Sequence, residues 1–442
     1  MAEDGFLRQA QDGVVHVVGA GLAGLAAAIS LLAAGRRVAL YEASPQAGGR
    51  CRSYYDSELS CRIDNGNHLL LSGNAAALSY IERIGALATF EGPGEPVFPF
   101  VDRASGERWE LRPNRGLFPW WIFLRRRRVP GSRATHYLAA RSLRHADPQA
   151  TVAATLGEER ALYRRLWEPL AVAALNTPAS CGSARLFGRV LEETLLKGGR
   201  ACRPLVPREG LSESFVEPAL ARLESAGAVI RFGARLRTLL MSGARVSGLA
   251  FEGAEVALQE GDGVVLAVPA TAAGRLVPGL TVPSRHAPIV NAHFRAAAPA
   301  GAPLFVAVIG GAAQWIFRKK GVLSVTVSAA DDLVDEGIEA LRERLWGDVA
   351  FAYRLPSAPL PAVRILKERR ATFLASPDEL RRRPGAATRW QNLALAGDYT
   401  DTGLPATIEG AIRSGFAAAA VLAGQERNIG VLRRQPRRKT LL

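Results

Sequence analysis

The chain has 442 residues, 48% hydrophobic and 22% charged, with a formal net charge of +15 from 56 Lys+Arg against 41 Asp+Glu. This length and balance exclude a globally disordered chain and a small disulfide scaffold, and predict two domains or more. The positive excess points to anionic partners (phospholipid, nucleic acid or a cofactor's phosphates) without choosing among them. Cys51, Cys61, Cys181 and Cys202 form no C-x-x-C pair and no His/Cys cluster, so reduced cysteines and no metal site are expected. The opening MAEDGFLRQAQDG is acidic and polar, unlike a signal peptide, which points to an intracellular protein that is soluble or surface-bound.

Val14 to Val18 is a short apolar run suited to a fully buried strand. Gly19, Gly21 and Gly24 then fit G-x-G-x-x-G. The first glycine makes a tight turn, the second lets a pyrophosphate approach, and the third lets the next helix pack close to the strand. Leu22 to Ala34 is a helix without charge, Gly35 ends it, and Arg37 to Tyr41 is a second strand. Glu42 follows 42 − 24 = 18 residues after the last glycine, close to the roughly 20-residue spacing at which an acid grips a ribose hydroxyl. Val14 to Gly35 is nearly chargeless, but its glycines, His16 and the acid-bearing strand beyond argue against a membrane span.

Ala47-Gly48-Gly49-Arg50 is a second glycine turn, and Arg50 offers a fork of donors to phosphate or flavin carbonyls; a surface β-turn reads the same way. Ile63-Asp64-Asn65-Gly66-Asn67-His68 is a polar knot ahead of Leu69-Leu70-Leu71. Side-chain capping of turns or a polar strip facing a cofactor would each produce it. Ala75 to Gly85 is helical, and Phe90 to Arg112 is strand-like and broken by prolines. The apolar block Leu117 to Leu124, containing Trp120 and Trp121, runs into Arg125 to Arg128. That pattern suits either a membrane-surface anchor or a buried helix followed by a basic loop. Aromatics do not alternate with basic residues as single-strand nucleic-acid grooves require, so no nucleic-acid partner is expected.

Thr135 to Leu196 is helical, with Glu168 among apolar residues, where it either pairs with an arginine or has a raised pKa. Gly210 to Ser225 is another helix. Gly227 to Phe232, an extension over Arg235 to Leu240, an antiparallel pair at Val246–Phe251 and Val256–Leu258, and Gly263 to Pro269 are strands. Val290–Phe294, Leu304–Ile309, Trp315–Arg318 and Leu323–Ser328 suggest an antiparallel sheet, and Asp331 to Trp346 a helix with acids at its start. Near the C-terminus, Leu393 to Tyr399 is a strand ending in Gly397-Asp398. Gly403 to Ala411, including Thr407, opens a helix to Leu422; a ligand-holding helix start and an ordinary strand-to-helix turn both fit. From Leu432 the chain is a basic tail, expected to be disordered.

Taken together, Gly19-x-Gly21-x-x-Gly24, Glu42, Gly48-Gly49-Arg50 and Gly397-Asp398 resemble the FAD-dependent amine oxidase and carotenoid desaturase superfamily. Within it, IDNGNHLLLSGN at 63–74, LWEPLAVAALNTP at 166–178 and AGDYTDTGLPATIEGAI at 396–412 are similar to the hydroxysqualene dehydroxylases of bacterial hopanoid synthesis. The resemblance implies FAD, with Gly19, Ala20, Gly21, Leu22, Ala23 and Gly24 at the pyrophosphate and Glu42 at the adenosine ribose. Gly48, Gly49 and Arg50 would lie near the flavin, Gly397 and Asp398 near the ribityl chain or pyrophosphate, and Thr407 at the cofactor. The implied substrate is an apolar C30 isoprenoid and the implied reaction reductive removal of its allylic hydroxyl. His68 or Asp64 is the expected proton source or water-ordering group, because a histidine's ordinary pKa near roughly 6.5 suits an acid at neutral pH; Glu168 is expected to stabilise the cation.

The expected fold class is α/β: a discontinuous Rossmann-like FAD-binding domain (1–90, 205–285, 389–430) with a mixed α+β substrate domain (91–204, 286–388) and a tail at 431–442. The expected place is cytoplasmic, at the inner face of the bacterial membrane through Trp120, Trp121 and Arg125 to Arg128. No second G-x-G-x-x-G marks a nicotinamide site, which leaves the electron donor open. A carotenoid-type desaturase and a non-catalytic FAD-binding prenyl escort fit the same motifs. An amine oxidase fits less well, since no aromatic cage is evident near Gly403 to Ala411.

Overall fold

The computed structural model describes residues 13–158 and 160–424; the N-terminal stretch and the basic tail lie outside the described residues. Five short strands form a parallel sheet in the order Val229–Arg231, Arg37–Tyr41, Val14–Val18, Gly263–Leu266, Leu393–Leu395. The three inner strands are buried almost throughout, as a parallel sheet covered by helices on both faces requires. The C-terminal helix Ile408–Leu422 packs on the N-terminal helix Leu22–Ala33 so closely that a Cβ on Gly415 would sit 2.2 Å from the carbonyl oxygen of Ala23. The two ends of the chain therefore complete one α/β unit.

Three antiparallel strands, Leu236–Ser242, Arg245–Phe251 and Ala254–Ala257, form a separate small sheet. A seven-stranded sheet runs in the order Val363–Phe373, His286–Phe294, Val322–Ser328, Trp315–Lys319, Phe305–Ile309, Phe98–Asp102, Arg108–Leu111. Its pairs are antiparallel except Phe305–Ile309 with Phe98–Asp102. Alternation along these strands makes two faces. Val290, Ala292, Phe294, Ile316, Val325 and Val327 pack on the helix Ile338–Tyr353. Phe100, Trp109, Phe305, Trp315 and Phe317 face a helical block that includes Trp121, Tyr137, Leu166, Trp167 and Phe187. Among the described residues no helix is long and apolar enough to cross a membrane.

Several expectations change in detail. The long helical segment is broken into a 3₁₀ run at Ala134–His145, helices at Val152–Leu156 and Glu168–Leu175, and a helix at Ala184–Glu193. The acids Asp331 to Asp335 lie in turns, and the helix begins after Gly337, whose extended backbone makes the cap. Val363–Phe373 is a strand that its sequence, VRILKERRATF, conceals, because it lies at a sheet edge where charged side chains are tolerated. Trp121 is not an exposed anchor: it is 4% exposed and meets Tyr137 edge-on, whereas Trp120 is 43% exposed.

Candidate functional site

The site begins at the carboxyl ends of the parallel strands. Gly19 adopts φ +106°, and a Cβ there would sit 2.4 Å from the Ala267 carbonyl oxygen. A Cβ on Gly24 would lie 1.8 Å from the carbonyl oxygen of Gly19, so only glycine lets the helix approach the turn. Gly21 differs, since a Cβ there would meet nothing within 4 Å. Its outer side is open, and the helix that follows has neither a side-chain cap nor an acid in its first turn. The backbone N–H groups at the positive end of the helix dipole form an anion cradle. The diphosphate of a dinucleotide fits them.

Glu42 lies beside this turn. One carboxylate oxygen accepts from the Ala20 amide at 2.8 Å, the other from the Ser44 amide and hydroxyl at 2.9 Å each. The second glycine turn is joined to the first, with the Gly48 amide donating to the Ala20 carbonyl at 2.8 Å and Gly48 and Gly49 at φ +104° and +57°. Arg50 projects from it and pairs with Asp398 at 2.8 Å, while also donating to the Ala371 carbonyl. The distant Gly397-Asp398 motif thus meets the N-terminal motif through one ion pair. Arg383, buried, fixes that loop by donating to the backbone carbonyls of Tyr399 and Thr400. Thr407 accepts from the Gly410 amide at 3.1 Å, so its side chain caps the C-terminal helix.

His68 is half-buried beside this cluster. Burial first, and the positive charge of Arg50 second, lower its pKa to about 4. The imidazole is therefore held neutral at pH 7. Asp64 is tied into the fold by three partners. It accepts from the Ser53 hydroxyl at 2.6 Å and the Leu211 amide at 2.9 Å, and pairs with Lys319. With those donors engaged, the buried Asp64 clamps the Ser53–Asp56 and Cys61–Asp64 hairpin. Burial lowers the pKa of Lys319 to about 8. Glu168 has a raised pKa, through desolvation and then Glu158, but its charged neighbours are Glu158 and Arg164, so it does not join the Arg50–His68–Asp398 group.

Sequence reasoning missed the groups opposite the polar knot. Asn67 donates to the Thr326 hydroxyl at 3.0 Å, Thr326 donates to the Asn291 side-chain oxygen at 2.7 Å, and Asn291 donates to the Asn65 carbonyl at 3.3 Å. On the same sheet face His293 bonds to Ser324. The Asn67 side-chain oxygen and His293 Nε2 are buried without a hydrogen-bond partner among the described residues. The alternation V-N-A-H-F at 290–294 was the available signal, since its two polar residues share one face. Paired strand positions put aromatics beside them: Trp315 lies opposite Thr326 and Phe317 opposite Ser324. Glu409, buried, was also missed. It accepts from the amides of Ala76 and Ala77 at 3.0 and 2.7 Å, caps the Ala75–Arg83 helix and pairs with Arg413.

The sequence profile of the flavin containing amine oxidoreductases matches residues 22–423. A protein of Rhodopseudomonas palustris named hydroxysqualene dehydroxylase is 49% identical over 92% of this chain and 97% of its own length. One of the same name from Zymomonas mobilis is 45% identical over 92% and 98%. By contrast, an L-amino-acid oxidase of Bungarus fasciatus is 33% identical over 27% of this chain and 23% of its own. Among solved structures, wild-type putrescine oxidase bound to putrescine superposes with a TM-score of 0.68 at 17% identity, covering 93% of this chain and 99% of that one. The cyclohexylamine oxidase of Brevibacterium oxydans gives 0.66 at 16%, covering 94% and 100%; these two show the shared fold. The chain is a FAD-dependent oxidoreductase that belongs to the flavin containing amine oxidoreductases and, within them, to the hydroxysqualene dehydroxylase family.

Proposed function

We propose that this chain replaces the allylic hydroxyl of hydroxysqualene with hydrogen, releasing squalene and water. The carrying observation is the extent of the likeness: three relatives named hydroxysqualene dehydroxylase match at 45–49% identity over 92% of the chain. A probable zeta-carotene desaturase of Synechococcus elongatus matches at 37% over only 22%. The balance is one alcohol, one proton and one hydride giving one alkene product and one water, with the two electrons supplied by an external reductant.

Reduced FAD supplies the hydride when bound. The backbone amides after Gly21 would hold its diphosphate, Glu42 its ribose, and Arg50 with Asp398 the region between diphosphate and ring. His68, neutral at pH 7, would accept a hydrogen bond from a water and orient it at the leaving hydroxyl, while Asn67 and His293 offer further buried polar atoms on that side. The aromatic wall of Trp315, Phe317, Phe305, Phe100 and Trp109 supports an apolar substrate, because it excludes water beside the polar strip. Asp64 and Lys319 would fix the hairpin that leads into the loop bearing His68.

The test is incubation of purified FAD-loaded protein with hydroxysqualene and dithionite, and in parallel of the oxidised protein with hydroxysqualene in air, with products identified by mass. Squalene in the reduced incubation is the expected product. Recovery of unchanged alcohol from both rejects the reading in favour of a carrier, and a desaturated product in the aerobic incubation alone rejects it in favour of an oxidative desaturase. His68→Ala is expected to cut turnover by about 10²-fold with FAD content unchanged; near-normal turnover would remove His68 from the chemistry.

A further inference from the structure

We propose that residues 115–127 form a preformed docking surface for an anionic phospholipid bilayer. Leu117, Phe118 and Phe123 are 74, 68 and 61% exposed, and Trp120 is 43% exposed. The rings of Phe118 and Phe123 stack at 6.4 Å, so they make one continuous apolar tip. Large apolar side chains this exposed and this close together need a partner that is itself apolar.

The loop is held firmly from beneath. Asn114, buried, donates to the carbonyls of Gly116 and Phe118 at 3.1 and 3.0 Å and accepts from the Trp121 amide at 3.3 Å. Its own carbonyl accepts from the Gly199 amide at 2.7 Å. Trp121 and Ile122 are buried as anchors. Leu117, Phe118 and Phe123 are therefore displayed on a fixed frame, which lowers the ordering cost of insertion.

Charge selects the occupant. Between Glu110 and Asp147 the chain has nine arginines and no Asp or Glu. Arg125 and Arg126 are exposed and have no carboxylate partner among the described residues, and the Arg127 guanidinium sits 4.9 Å from the Trp120 ring centroid. Arg112, Arg115 and Arg144 pair with Glu110, Glu95 and Glu192, so the unpaired charge is concentrated at Arg125 and Arg126. An aromatic tip beside these two guanidinium groups matches a bilayer whose headgroups are negative and whose interior begins a few ångströms below them. A protein partner of matching shape would need a dense acidic rim around an apolar pocket, and a second copy of this basic surface would bring like charges together. This surface is independent of the chemistry proposed above and is read without substrate.

The experiment is flotation of the full-length, FAD-loaded chain with vesicles of phosphatidylcholine plus phosphatidylglycerol, and with phosphatidylcholine alone. The wild type is expected to float with the anionic vesicles and about 10-fold less with the neutral ones. Phe118→Ser with Phe123→Ser is expected to reduce flotation about 10-fold while the flavin spectrum is unchanged, and Arg125→Gln with Arg126→Gln to remove most of its salt dependence. A wild type that does not float overturns the proposal, as does a Phe variant that floats equally well, since binding would then come from basic segments elsewhere. A dimer abolished by the Phe variant, without vesicle binding, would reassign the patch to self-association.

Discussion

Two polar centres lie side by side in this molecule and are built in opposite ways. At the first, around Gly19 to Gly24, Glu42 and Gly48–Gly49, the geometry is set by backbone, and the side chains that matter are mostly absent ones. At the second, around Asp64, Asn67, Asn291, Lys319 and Thr326, the groups are side chains brought together from opposite parts of the chain, with Lys319 pairing to a residue 255 positions away. The first centre depends on space, the second on mutual satisfaction of buried charge and hydrogen bonds. Different substitutions should therefore break them.

The largest effect is expected where space is absolute. Gly24→Ala places a methyl 1.8 Å from the carbonyl oxygen of Gly19, a backbone atom that cannot swing aside. Loss of soluble protein, or destabilisation beyond about 4 kcal/mol by chemical denaturation, is expected. Gly21→Ala adds the same methyl where nothing lies within 4 Å, at an ordinary φ of −73°. The fold should keep its melting temperature as apoprotein but retain FAD about 10-fold less well, because the methyl occupies the path of the diphosphate. If both variants lost stability equally, the idea of an open cradle at Gly21 would fail.

That contrast also explains what could be read in advance. The glycine turns, the uncharged helix, Glu42 and Gly397-Asp398 were legible because each is local and because Gly19, Gly24, Gly48 and Gly397 each have a backbone reason. The second centre was legible only in half. Asp64, Asn67 and His68 stood out as a polar knot, but Lys319 and Thr326 sit in strands whose register no local pattern specifies, so Asp64 looked like a free acid. Trp120 and Trp121 looked alike because they are neighbours; the turn points one outward and the other under Tyr137. Val363–Phe373 was hidden by its charges, which an edge strand accepts.

The next effect tests mutual satisfaction. Asp64→Ala leaves Lys319 buried without its carboxylate and strands the Ser53 hydroxyl and Leu211 amide. A loss of about 3–5 kcal/mol is expected from breaking a buried pair on one side. Asp64→Asn with Lys319→Met should lose much less than the two single changes added together, since no lone charge remains buried. Equal and additive losses in denaturant titrations would show that the pair is not coupled.

The smallest expected effect concerns His293, which is 1% exposed on the polar face and bonded to Ser324. Burial lowers its pKa to about 4, and the nearby Asp56 carboxylate offsets only part of that. In the unfolded chain a histidine titrates near roughly 6.5. Between the two values the unfolded state binds the proton and the folded state does not, so stability is full above about pH 6.5 and falls as the pH drops toward 4. The gap corresponds to about 3 kcal/mol. Unfolding free energy measured from pH 7.5 to 4.5 should decline more steeply in the wild type than in His293→Gln, whose amide does not titrate. The glycine centre carries no titrating side chain of this kind, so Gly21→Ala should keep the wild-type slope. A His293→Gln variant that declined as steeply as the wild type would move the acid sensitivity elsewhere, with His68, whose pKa is also lowered to about 4, the first group to replace.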